Sequence, residues 1–198
     1  MFKQSLTAAL SAILLSASAQ ATDLSYTNLS IGYTSNDIGG ESYDGYNIAI
    51  RYALGDEFFL HARTSSLESN DAISLNGGVP ATQDADTTVL GVGYHVEIAT
   101  QLDFVATLGY MDEEQVQGNA LIDADGFQVT TGVRWKASDM VELNADVLHV
   151  SLDERTSGGV GIGARFFFGQ AVSFGTAYSK DWNGAKDEQI SADLRLDF

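Results

Sequence analysis

Cysteine is absent from the 198-residue chain. That excludes a disulfide framework, a thiolate nucleophile and any Cys-ligated zinc or iron–sulfur site. Basic residues are scarce: ten Lys and Arg stand against 27 Asp and Glu, a formal net charge of −17 at pH 7. A nucleic-acid binder needs a basic footprint, so no nucleic acid is expected as a partner. Proline occurs once and histidine three times. Helical spacing of apolar residues is hard to find after residue 22, and the apolar stretch Leu6 to Leu15 is too short to cross a bilayer as a helix. Disorder does not follow from these absences, because ten percent of the residues are aromatic.

The first residues read as a targeting segment. Lys3 supplies the positive flank, Leu6 to Leu15 the apolar core, and Ala19-Gln20-Ala21 a small-residue cleavage site. Residues 1–21 are therefore expected to be a removed signal peptide, and residues 22–198 a single exported domain. Lys3 is the one charge in the leader, so its loss moves the net charge from −17 to −18.

Alternation with a period of two fills the rest of the chain. In Tyr46-Asn47-Ile48-Ala49-Ile50-Arg51-Tyr52-Ala53-Leu54 the even positions are large and apolar, and the odd ones small or polar. Ten such segments are predicted near 24–34, 44–54, 57–66, 86–96, 100–111, 125–136, 139–152, 159–168, 171–181 and 187–198. In the first, Leu24 and Tyr26 fall on the opposite parity from Leu29, Ile31 and Tyr33, which asks for a bulge or a late strand start. Tight connections such as Gly55-Asp56 and Gly169-Gln170 alternate with longer acidic ones around 35–43, 67–85, 112–124, 153–158 and 182–186. The expected fold is all-β: a single antiparallel up-and-down transmembrane β-barrel of ten strands, with eight as the alternative count.

Alternation alone does not say which face is outside, since a lipocalin-like soluble barrel would invert every side chain. The content of the polar face decides. It carries Arg51, Arg63, Arg134, Arg165, Arg195, Asp103, Glu142, Asp146, Asp193, His61 and His95, interleaved with Gly32, Gly91, Gly93, Gly109, Gly132, Gly161, Gly163 and Gly175. Glycine on a solvent face weakens a strand, whereas inside a narrow barrel it makes room for long side chains from neighbouring strands. The opposite face is apolar, with aromatics such as Tyr33, Tyr46, Phe58, Tyr94, Phe127 and Trp135 near its ends, as interfacial girdles would be. The charges on the polar face are expected to form a paired lumen network. The many inward glycines argue for some residual opening.

With its signal peptide, alternating strands and closing strand Ile190, Ala192, Leu194, Leu196, Phe198, the chain resembles the small outer-membrane β-barrel proteins of Gram-negative bacteria, of the OmpA/OmpX-like kind. That resemblance implies a bacterial outer-membrane location and partners in outer-membrane lipids and lipopolysaccharide. It also implies that the barrel assembly machinery reads the terminal strand, with Phe198 as its signal.

Chemistry has few places to reside. His61 and His95 are expected in the lumen network, without the ligand spacing of a zinc site. His149 and Ser151 should share the outward face near the loop end of their strand. The pair resembles the His-x-Ser of outer-membrane lipid A deacylases, although Gly163 stands where that family has its acidic partner. Proteases of the omptin type use ten-stranded barrels whose strands rise above the membrane, and this chain is too short to expect that. Asp123-Ala124-Asp125-Gly126 lacks the remaining ligands of a calcium loop. Gly158 to Gly163 runs into a strand, not a phosphate-binding helix. Carboxylates concentrate at the long-loop end, against Arg155, Lys180 and Lys186, and calcium or magnesium bridging them is the one cofactor considered.

The expected function is a non-enzymatic outer-membrane barrel with a structural or surface-interaction role, acidic extracellular loops and a charge-paired lumen. A small porin for ions or solutes is the alternative, and a lipid A deacylase-like enzyme using His149 and Ser151 is a third. No oligomeric state follows, because the outer face is uniformly apolar.

Overall fold

The computed structural model describes residues 24–38, 41–71, 82–117, 120–153, 155–182 and 188–198. The expected signal peptide lies outside them. Ten strands follow one another: β1 (Asn28–Ile38), β2 (Glu41–Leu54), β3 (Phe58–Ser69), β4 (Asp84–Ala99), β5 (Leu102–Gln117), β6 (Ala120–Ser138), β7 (Val141–Leu152), β8 (Arg155–Phe167), β9 (Val172–Asp181) and β10 (Glu188–Asp197). Each pairs antiparallel with its sequence neighbours, and β1 pairs with β10 to close the barrel. An even number of strands brings the start of β1 and the finish of β10 to one end of the barrel, where Asn28 faces Asp197. The short turns lie at that same end. Gly55 (φ 80°) and Gly169 (φ 128°) take left-handed conformations there, and Gln101 (φ 61°) does so without glycine's freedom.

Parity sorts the side chains as the alternation requires. Ile31, Tyr33, Tyr46, Leu90, Phe127, Ile162 and Ile190 are exposed on the outer wall, while Thr34, Asn47, Arg134 and Glu142 are buried in the interior. Phe127 and Trp135 bracket the apolar band on β6, eight residues apart. That is about 27 Å along the strand at ~3.4 Å per residue, or roughly 20 Å of height at a tilt of ~40°.

Strand boundaries differ from expectation at both ends of the barrel, each time for a physical reason. The strands run far beyond the band at the loop end: β5 and β6 stay paired through Asp112↔Asp125 and Gln115↔Ile122 up to Gln117↔Ala120. Most of the stretch 112–124, expected as a loop, is therefore ladder, and β8 likewise begins at Arg155. Above the band the outer face meets water and the inner face buries only a small apolar cluster of Tyr43, Leu67 and Ala85, so alternation fades from the sequence while backbone pairing continues. The chain thus has strands that rise above the apolar band, contrary to the expectation that its length would not permit them. At the other end β1 starts late, at Asn28. Its lead-in turns Tyr26 into the barrel, which accounts for the parity conflict of the first segment.

Candidate functional site

The interior divides into a filled floor at the turn end and a cavity above it. The floor is built on Glu142 of β7. Arg134 of β6 donates to both its oxygens, Nε to Oε1 and Nη2 to Oε2, each at 3.0 Å. Arg195 of β10 donates from Nη2 to Oε2 at 3.2 Å and from Nε to Asp197 at 3.2 Å. One carboxylate thus joins two guanidiniums from strands that are not neighbours. Such charge-assisted, bidentate bonds are the strong kind, and within a nearly dry interior they hold only as a complete set.

Aromatic rings complete the floor. Tyr26 donates its hydroxyl to Asp103 Oδ2 at 2.8 Å and stacks on His95 with centroids 3.6 Å apart. Arg134 lies 4.6 Å from the centre of the Tyr26 ring and donates to the Ser25 carbonyl at 3.1 Å. His95 Nδ1 is 3.5 Å from Asp103. Phe59, fully buried, packs against Tyr26, and Phe167 carries Arg195 and Lys136 over its ring at 5.5 and 5.8 Å. The lead-in segment before β1 is therefore part of the plug.

Above the floor lies a cavity of about 510 Å³, running from Arg134 and Glu142 to Asn36, Ser179 and Gln189 near the loop end. Arg51, His61, Arg63, Asp146, Arg165 and Asp193 all line it. Arg165 is paired, donating from Nη2 to both oxygens of Asp193 at 2.9 and 2.8 Å. Among the described residues Arg51 and Arg63 make no ion pair with a carboxylate, and Asp146 makes none with a cation. Arg51 instead rests over Phe59 at 5.7 Å. The predicted network residues thus all face the interior but form two classes. Arg134, Arg195, Glu142, Asp103 and His95 meet in the floor, and Arg165 meets Asp193 on the wall. Arg51, Arg63, Asp146 and His61 stay outside any ion pair among the described residues.

The inward glycines make room for side chains from neighbouring strands, as expected, and Gly132, Gly161 and Gly175 also line the opening that remains. They are where a neighbour's side chain lies flat. A β-carbon at Gly93 would stand 2.0 Å from Phe59, and one at Gly175 would stand 2.6 Å from Arg165 Nη2. Gly91 and Gly109 face His61, and Gly161 faces Asp146. Sequence reasoning also missed floor members. Lys136 continues the parity of Arg134, and Asp197 that of Arg195, so both were findable. Phe59 and Phe167 carried no such signal, being apolar residues on the polar face.

At the loop end the strand extensions carry the acidic groups. Asp44 accepts from Asn70 at 2.9 Å, and its hydrogen bonds with Ser35 and Asn70 hold its carboxyl below the usual range. Arg155 donates to Glu113 at 2.8 Å. Among the described residues no three His, Asp or Glu side chains converge as a metal site. His149 and Ser151 are both exposed on the outer wall, and among the described residues no hydrogen bond joins His149 to Ser151 or to a carboxylate.

Solved structures share this architecture. The β domain of the Bordetella autotransporter BrkA aligns with a TM-score of 0.55 at 11% identity, covering 88% of this chain and 100% of that one. An outer membrane channel from Pseudomonas putida F1 gives 0.53 at 9% identity, covering 91% and 99%. The translocator domain of the autotransporter NalP from Neisseria meningitidis gives 0.52 at 15% identity, covering 100% and 96%. Identities this low speak for the fold alone. No curated protein sequence matches the chain. Residues 6–193 match the outer membrane protein beta-barrel domain family, and the chain belongs to that family.

Proposed function

We propose that the protein is a non-enzymatic outer-membrane barrel with a structural or surface-interaction role, its acidic strand extensions outward and its lumen closed on the periplasmic side. The observation that carries this reading is the floor. Arg134, Glu142, Arg195 and Asp197 are each less than one tenth exposed, although they hang inside a barrel. An ion passing there would have to part a bidentate Arg–Glu pair and displace the Tyr26–His95 stack. Short turns beside the chain ends set the orientation, as in bacterial outer-membrane barrels generally. The outward-facing apolar residues of β10, followed by Phe198, suit reading by the assembly machinery. The carboxylates at the loop end suit divalent bridging to lipopolysaccharide.

Recording from the refolded mature chain in a planar bilayer tests this. Folded, inserted protein is expected to be electrically silent, and stable stepwise currents would replace the reading with that of a small porin. The cavity above the floor is what favours that second reading, and one structural neighbour is itself described as a channel. A lipid A deacylase-like role finds no support in the exposed, unlinked His149 and Ser151.

A further inference from the structure

The geometry points to a binding site for a small phosphate- or carboxylate-bearing anion in the middle of the lumen, held by Arg51 and Arg63. Every other described arginine already has a carboxylate. Arg134 and Arg195 share Glu142, Arg165 holds Asp193, and Arg155 holds Glu113. Arg51 and Arg63 project from β2 and β3 into the same cavity of about 510 Å³. The β2–β3 register sets Arg51 opposite His61 and Arg63 opposite Ala49, so the two arginines are diagonal neighbours on one face. Diagonal positions in such a ladder stand about 7–8 Å apart, within reach of two long side chains closing on one ligand.

Arg51 is half-buried and Arg63 is exposed to the cavity, so both can be reached from it, and two like charges side by side repel unless something neutralises them. Their surroundings do so incompletely. Asp146 faces the cavity from β7, packed over Gly132 and Gly161, and forms no ion pair with either arginine. One carboxylate, hydrogen-bonded with Asn144 and within electrostatic reach of Arg51, against two guanidiniums that have no ion pair among the described residues leaves a positive excess for a ligand to meet. Guanidinium forks match planar and tetrahedral oxyanions bidentately. The volume lies in the range of small-molecule pockets, enough for an anion with an organic body.

The site is separate from the floor. Conductance tests whether the floor is closed, and binding tests the arginines, so either can fail alone.

The test is calorimetric titration of the refolded mature chain in zwitterionic detergent at low ionic strength. Inorganic phosphate and tripolyphosphate are the probes. Saturable binding at one site per chain is expected, at least tenfold weaker in Arg51→Gln or Arg63→Gln and lost in the double variant. Arg155→Gln at the rim should bind as wild type. Should the double glutamine variant not fold, Arg51→Lys with Arg63→Lys keeps the charge but loses the fork. It should bind several-fold more weakly and still gain thermal stability from phosphate. Absence of saturable heat from folded wild-type protein would overturn the proposal, and so would undiminished binding in either double variant.

Discussion

The two halves of the lumen are lined by the same alternating face of the same strands, yet they have opposite character. In the turn-end half, charges of both signs meet around Glu142 and are nearly dry. In the half above it, Arg51 and Arg63 line open space without a carboxylate partner. Glycine content does not make the difference, because glycines in both halves are covered by neighbouring side chains. The difference is whether opposite charges and rings arrive at the same height. Where Arg134, Arg195 and Tyr26 converge on acidic partners, the barrel acquires a core. Where they do not, it keeps a cavity.

Breaking the floor should have the largest effect. Glu142→Ala leaves Arg134 and Arg195 facing each other without their shared carboxylate, and should cost about 3–5 kcal/mol in denaturant unfolding. The same variant should conduct where wild type is silent. Gly93→Val thrusts a branched side chain into Phe59 and should cost about 1–3 kcal/mol by overpacking, with the ion pairs and the electrical silence preserved. Tyr26→Phe keeps the stack on His95 and loses only the bond to Asp103, about 1 kcal/mol on the same assay. Arg155→Ala removes an ion pair at the exposed rim and should cost under about 1 kcal/mol, sharpening the contrast with Glu142. The smallest effect concerns pH. Because Asp44's folded carboxyl is held below its ordinary value, its contribution is complete above the ordinary carboxylate range and is lost as pH falls through the lowered one. Asp44→Asn should therefore slightly flatten the acid limb of the stability profile.

Most of the barrel was legible because a membrane imposes a strict rule on one face. Period-two patterning showed the strand count, the inward parity of the eleven titratable residues assigned to the lumen and the apolar outer wall. It failed where the rule lapses. Beyond the band, residues such as Asp112, Asp123 and Asp125 have no apolar side to present, so a continuing ladder looks like loop. Within the lumen, parity says that Arg51 and Arg134 point inward. It does not say which of them finds an acid, because that depends on height and reach across strands distant in sequence. Tyr26 was visible only as a conflict of phase, and the conflict marked a residue of the plug. Phe59 shows the converse limit. A phenylalanine among polar neighbours reads as an irregularity until Gly93 is seen beneath its ring.

The pairing of β1 with β10 bears on the order of events in time. Every other ladder joins strands that follow directly in the chain and can form as each hairpin emerges. This one joins Asn28 to Asp197 and must wait for the last residues. It is also built from short strands, 11 and 10 residues, against 16 and 19 in β5 and β6. The seam is then the last wall to zip and the first to part. In hydrogen exchange, the amides of β1 and β10 should lose protection well before those of β5 and β6.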